Sequence, residues 1–223
     1  MNPPYAHPAR AGSRSGTSSG AMGDTAGALL HHGRRLFARH GYEGTSVRAI
    51  TAAAGANLGA ITYHYGSKET LYHEVLTACF KPLLERLELA MDDRGAPPLA
   101  RVEAGVRAIF AHQAANRDLA ALMSRELAAD RPAPEPIRRM MQGALARFSA
   151  AIAAGQADGT IVPGDPALMT VSIVAQPVYI TLLRHRLRDV FGVDTADPET
   201  HRRVVDHAVR FIRRSLEPAR RKA

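Results

Sequence analysis

At 223 residues the chain can hold one domain or two small ones, and 46% apolar with 22% charged residues is an ordinary globular balance. No apolar run reaches the roughly 18–20 residues of a membrane span, and no apolar leader opens the chain. A single cysteine allows neither an internal disulfide nor a thiolate metal cluster, so the expectation is a cytoplasmic protein away from membranes, with no metal or cofactor. A net charge of +8 and a pI near 10.2 favour polyanionic partners, nucleic acid first. The surplus is concentrated after residue 199, so charge alone locates no interface.

Aromatics are 5% of the chain and Trp is absent, so the core must come from Ala, Leu, Val, Ile and Met, a composition that favours helices. Residues 1–22 are rich in Pro, Gly and Ser without an apolar period, which predicts a disordered extension; a basic arm carrying Arg10 and Arg14 to DNA is the alternative. From Asp24 a helix follows through Leu29, Leu30, Gly33 and Phe37, with Asp24 as its cap and Gly41 as its stop. A short helix from Ser46 to Ala54 is capped by Thr45 and ended by Gly55. A third covers 57–63 with Asn57 as its cap. Ser67 caps a longer fourth, in which Pro82 predicts a kink or break near 78–82.

Gly95, Pro97 and Pro98 interrupt the pattern before a helix with Leu99, Val102, Val106, Ile109 and Phe110 inward. A short helix follows from Asn116, then a proline-rich loop over 131–136, then a long helix from Ile137 that Gly159 closes. Asp165-Pro166 and Asp197-Pro198 each pair a cap with proline at the first helical position. The Pro166 helix is expected to reach Phe191, and the last one Leu216. No strand is predicted, so the fold class is all-α, with about nine helices. The Pro166 helix has almost no polar face over its first two-thirds, which predicts burial all round. Either it is an ordinary core helix, or one side, with Val174, meets a symmetry mate beside the face of the last helix that carries Val204, Val205, Ala208, Phe211 and Ile212.

Two short helices joined by a glycine turn, with a helix before them, have the outline of a helix-turn-helix. Val47, Ile50, Ala54 and Ile61 would fix one helix across the other. Gly55 would take the left-handed backbone at the turn. Residues 56–62 are small or polar, which suits entry into a major groove. The DNA-facing candidates are therefore Ala56, Asn57, Leu58, Gly59, Ala60 and Thr62, together with Thr45, Ser46, Val47 and Arg48 at the start of the first short helix. Tyr63, His64 and Lys68 supply a phenol, an imidazole and an ammonium for phosphate. Each has a plainer reading: Tyr63 as packing, His64 as a plug between domains, Lys68 as a solvated charge.

Residues 24–80 resemble the DNA-binding domain of the tetracycline-repressor (TetR) family of bacterial transcription regulators. The likeness rests on Leu36-Phe37, Gly41-Tyr42, Gly44-Thr45-Ser46-Val47, Ile50, Ala53-Ala54-Gly55 and the block from Gly59 to Leu71. Two departures stand out: Tyr65, where the family commonly has Phe, and Thr62, where many members have a second aromatic. The C-terminal half is similar to effector domains of the CecR type around Arg125-Glu126 and in the last two long helices. The resemblance implies a helix-turn-helix domain over 23–70, a ligand-binding and dimerisation domain over 71–217 and a basic tail over 218–223. It also implies a homodimer on a double-stranded DNA operator, released by a small-molecule effector. The alternative is a regulator or adaptor controlled by a protein partner.

Candidate effector-pocket residues are Phe110, His112, Gln113, Met123, Glu126, Met141, Phe148, Gln176 and Tyr179. Methionines suit an adaptable apolar pocket, and a few polar groups would orient a ligand. Gln176-Pro177 breaks an apolar helix with a polar side chain and a proline. Catalysis has little support: there is no G-x-S-x-G elbow and no Gly-rich phosphate loop. His31-His32 and His201/His207 are poorly spaced to share a metal on a helix. Cys79 reads as a small buried hydrophobe ahead of a redox sensor.

Overall fold

A computed structural model describes residues 18–128 and 132–219. Its described residues form ten helices: α1 (Ser18–His40), α2 (Val47–Ala53), α3 (Ala60–Tyr65), α4 (Lys68–Met91), α5 (Pro98–Ala115), α6 (Arg117–Ala128), α7 (Glu135–Ala157), α8 (Pro166–Leu182), α9 (Arg184–Phe191) and α10 (Pro198–Leu216). Most of the predicted extension, with Arg10 and Arg14, lies outside the described residues, as do 220–223 of the tail. Residues 18–22, expected to be disordered, are instead the first turns of α1, which starts upstream of Asp24.

Local chemistry sets most helix ends. The Ser46 hydroxyl accepts the Ala49 amide at 3.1 Å and caps α2. Thr45, the expected cap, is unavailable because its own hydroxyl donates to the Gly41 carbonyl at 2.7 Å. Ser67 caps α4 through Thr70, and Asp165 and Asp197 cap α8 and α10 from just before their prolines. Gly55, at φ 63°, takes the left-handed conformation that turns the chain from α2 toward α3. Helix α3 begins at Ala60, where the sequence suggests residue 57; its cap is Gly59, without a side-chain bond, and Asn57 does not cap it.

Two proline expectations resolve differently. Helix α4 continues through Pro82 unbroken. The turns on either side are anchored by buried Cys79 and Leu87, and that burial offsets the missing donor. Pro177 likewise stays inside α8, but the helix ends at Leu182, and the next one leaves at 70°. Beyond the bend the chain reads Arg-His-Arg-Leu-Arg, and none of the α9 residues is buried. This break makes ten helices of the nine expected.

Two apolar cores hold the molecule. The first gathers Leu29, Phe37, Ile50, Ile61, Leu71, Val75 and Leu76 from α1–α4, with Leu119, Leu122 and Ile137 from later helices. The second gathers Leu87, Met91, Val102, Val106, Phe110, Phe148, Ile152 and the inner face of α10. Gly105 sits where α5 crosses α4 and α7. A Cβ there would lie 2.5 Å from Met91 Sδ and 2.7 Å from Phe148 Cζ. Gly105→Ala should therefore overpack the second core and cost about 1–3 kcal/mol. Chemical denaturation should show a lower midpoint at an unchanged slope.

Candidate functional site

The exposed end of the first core is the candidate DNA-reading surface. Asn57, Leu58 and Gly59 in the turn, and Thr62 and Tyr63 on α3, face solvent, and Tyr63 is 70% exposed. Ser46 and Arg48 at the start of α2 are exposed beside them. Isoleucine 61 points the opposite way and is buried against α1 and α4, so the helix shows its polar face outward. His64 is half-buried, its ring edge-on to Tyr63 with centroids 4.9 Å apart.

Several predicted DNA-facing side chains point inward. Ala60 is buried, and Val47 and Ala56 pack against the core, since a short helix must turn one side toward its partner. Thr45 is buried with its hydroxyl on the Gly41 carbonyl. The Lys68 ammonium donates to the carbonyls of Tyr42 (3.0 Å) and Thr45 (3.1 Å) and lies 4.1 Å from the Tyr42 ring centroid. It ties the α1–α2 turn to the start of α4 and is not simply a solvated charge. Tyr65, one of the departures from the family pattern, donates its hydroxyl to the Ala26 carbonyl at 2.8 Å and pins α3 to α1. A Phe could not make that bond.

A polar junction links this head to the rest. His112 is fully buried, with Nε2 2.9 Å from the Cys79 carbonyl. A carbonyl only accepts, so Nε2 carries the proton and Nδ1 faces the Asn116 amide at 3.3 Å. Asn116 Oδ1 accepts from Arg34 of α1 at 3.3 Å, and Arg34 also pairs with Asp118 at 3.5 Å. Arg125 of α6 donates to the Arg39 carbonyl at 2.9 Å, near the end of α1. Glu126 accepts the Tyr72 hydroxyl at 2.5 Å. His112 and Glu126, both predicted in the effector pocket, thus belong to the joint between the two cores.

Two cavities lie beyond the joint. The larger, about 470 Å³, opens between α5, the α8–α9 corner and the loop before α10; Phe110 and Gln113 line it together with Ile180, Arg184, Arg188 and His201. The smaller, about 90 Å³, is apolar and lies between α4, α7 and α8. Met123, Met141, Phe148 and Gln113 line it, with Val174 on its wall. Gln113 alone of the predicted residues touches both. Gln176 lines neither, and Tyr179 is exposed to solvent. The basic residues of the larger cleft were missed from sequence. Their signal was the Arg184–Arg188 run, which reads as the polar end of a long helix until the bend at Leu183 folds it back.

Cys79 is buried, and burial pushes its thiol up, so it stays protonated and unreactive at neutral pH. Among the described residues, no group of three or more His, Cys, Asp or Glu could hold a metal ion, and no single helix is long and apolar enough to cross a membrane.

The joint and the Lys68 tie each predict an outcome. Burial, more than the nearby Arg86 and Arg34 charges, pulls the His112 pKa below its usual value, against the opposing effect of its bond to Cys79. The unfolded state therefore takes up a proton first. The stability held by neutral His112 is complete above the ordinary histidine pKa of about 6.5 and is lost as pH falls through the lowered folded value. Urea melts from pH 7.5 to 5 should show this loss, and His112→Gln should flatten that part of the profile. Lys68→Met removes both carbonyl contacts and should lower the urea midpoint by an amount equivalent to about 1–3 kcal/mol.

Comparison with known proteins places these features. Residues 29–75 match the family model described as bacterial regulatory proteins, tetR family. Residues 98–212, more than half of the chain, match the tetracyclin repressor-like C-terminal domain, a match that lends no support to the CecR-type likeness. The chain is 50% identical over 44 residues to the HTH-type transcriptional repressor AcnR of Corynebacterium glutamicum, covering 20% of this chain and 23% of that one. It is 33% identical over 75 residues to the repressor DhaR of a Mycobacterium species, covering 34% and 38%. It thus spans well under half the length of either relative. Among solved structures, a tetR-family regulatory protein from Rhodococcus RHA1 aligns with a TM-score of 0.71 at 24% identity, over 91% of this chain and 100% of that one. The ketosteroid regulator KstR2 of Mycobacterium tuberculosis aligns at 0.68 and 20%, over 92% and 98%. With both halves matched and an all-helical fold shared with these regulators, the chain belongs to the TetR family of bacterial transcription regulators and is not an enzyme.

Proposed function

We propose that this protein is a cytoplasmic, ligand-responsive repressor that binds a near-palindromic operator as a homodimer. The observation that carries the dimer is the outer face of α8. Leu168 (67%), Val171 (58%) and Tyr179 (63%) are exposed there in one stripe, and Phe211 of α10 is exposed as well. A helix this apolar is not left to water, and a twofold partner would cover it with the same face. Val174, expected at the seam, instead packs against the molecule's own second core. The helix is apolar all round because its inner side meets this core and its outer side a second copy.

Two α3 helices so joined would enter successive major grooves. Exposed Tyr63, with Ser46 and Arg48, would meet phosphate, and Asn57, Leu58 and Thr62 would face base edges. Helix α6 supports a route for ligand control. Its Ala120 lines the larger cleft and its Met123 the smaller, while its Asp118 and Arg125 hold α1. A ligand that favours one α6 position would favour one spacing of the two heads. The exposed pair Val190 and Phe191 on α9 favours the second reading, control by a protein partner. The 470 Å³ cleft beside that pair favours a small molecule, being within the size range of ligand pockets.

Val171→Arg tests the dimer. Sedimentation should show folded monomers, with unchanged circular dichroism and lost binding to an operator selected from a random duplex pool. A folded, dimeric variant with full operator affinity would overturn the interface. For the reading head, Tyr63→Phe should cost about 0.5–1.5 kcal/mol on operator and random duplex alike, because it removes one hydrogen bond to phosphate. Mobility shifts at several salt concentrations should show log affinity falling steeply with log salt.

A further inference from the structure

We infer that the cleft at the α8–α9 corner binds a small organic anion: a carboxylate or phosphate monoester on a short apolar body. This rests on the ligand-responsive reading and names the class of ligand. The floor is apolar, formed by Phe110, Ile180 and Val204. The 70° bend after α8 folds the basic start of α9 over that floor, so Arg184 and Arg188, one turn apart, both line the cleft.

Arg184 carries the argument. It is partly buried, and no carboxylate among the described residues lies within ion-pair reach of it. Its one contact is Nη1 on the Thr181 carbonyl at 3.3 Å, which leaves most of the guanidinium fork unused. Thr181 in turn donates its hydroxyl to Gln113 Oε1 at 2.6 Å. Gln113 is only 6% exposed, and its amide nitrogen has no hydrogen-bond partner among the described residues but is not sealed from solvent. Arg184, Thr181 and Gln113 therefore form one chain at the cleft wall, with unused donors at both ends.

The other charges agree. Among the described residues Arg188 pairs only with its neighbour Asp189 at 3.2 Å, on an exposed surface where such a pair contributes little. His201, edge-on to Phe110 with centroids 6.3 Å apart, and His185 add imidazoles. Asp194 is the acid lining the cleft, and its Oδ1 is engaged by the Ala196 amide at 2.9 Å. A partly buried cation without a counter-ion is costly. An anionic headgroup relieves that cost, a guanidinium fork matches carboxylate and phosphate oxygens, and the Gln113 amide offers a further donor beside it.

Calorimetric titration of the full-length protein with octanoate, octyl phosphate, octanol and octylamine tests this. One or both anions should bind, with octanol and octylamine at least about tenfold weaker. Arg184→Gln should remove that preference, whereas Arg186→Gln, at an exposed position outside the cleft, should keep it. The relative strength of the two anions tells carboxylate from phosphate. Octanol binding as tightly as either anion, equal losses in the two variants, or no binding by any probe overturns the assignment. Should Arg184→Gln fail to fold, the comparison of anions with octanol on the unaltered protein decides alone. Operator mobility shifts with the bound anion separate the two readings: anion binding through Arg184 without a change in operator affinity leaves the site standing and sinks ligand response through it.

Discussion

Helix α4 is buried at both ends in different cores, and the rest of the structure depends on that constraint. Its first turns place Leu71, Tyr72, Val75 and Leu76 among the side chains of α1–α3. Its last turns place Leu87 and Met91 against α5 and α7. A helix of 24 residues is about 36 Å long, enough to cross from one core to the other as a single rigid element. Movement at either end must then appear at the other, or the helix must bend. Pro82 lies between the two buried segments, where one hydrogen bond of the ladder is already missing.

The joint beside α4 is polar where the cores are apolar. Arg34, Asn116, His112 and the Cys79 carbonyl form a chain of contacts from α1 through α5 to α4. Such a network has fewer acceptable arrangements than an apolar contact, because each member must find its partner or lose a bond. It sets the angle between the head and the larger domain more sharply than packing alone. Tyr65, Lys68 and Arg125 extend the same logic around the head, each donating to a main-chain carbonyl of α1 or the turn after it. The candidate reading surface is thus held from behind by side chains bonded to the main chain.

The head was legible because its signals are local. The Ser67 cap, the Gly55 turn and the apolar spacing of Val47, Ile50 and Ile61 all act within a few residues, so periodicity and turn chemistry find them. Orientation of single residues was harder. Thr45, Ala60 and Lys68 lie in the right motif, yet their side chains turn inward. Which side of a two-turn helix is buried depends on the partner helix, and no short window of sequence contains that partner.

The larger domain shows the same division. The sequence by itself determined that the chain is helical, where most helices begin, and that the Pro166 helix is apolar on every side. Only the tertiary structure decided which half of that surface meets its own core and which half lies open. It also decided that α8 ends at Leu182 and that the basic run after it closes over Phe110 and Gln113. Hydrophobic period and capping are properties of neighbouring residues, whereas a cleft is made of residues distant in the chain. Gln113, Thr181 and Arg184 become one site only when α5 and α8 are packed together.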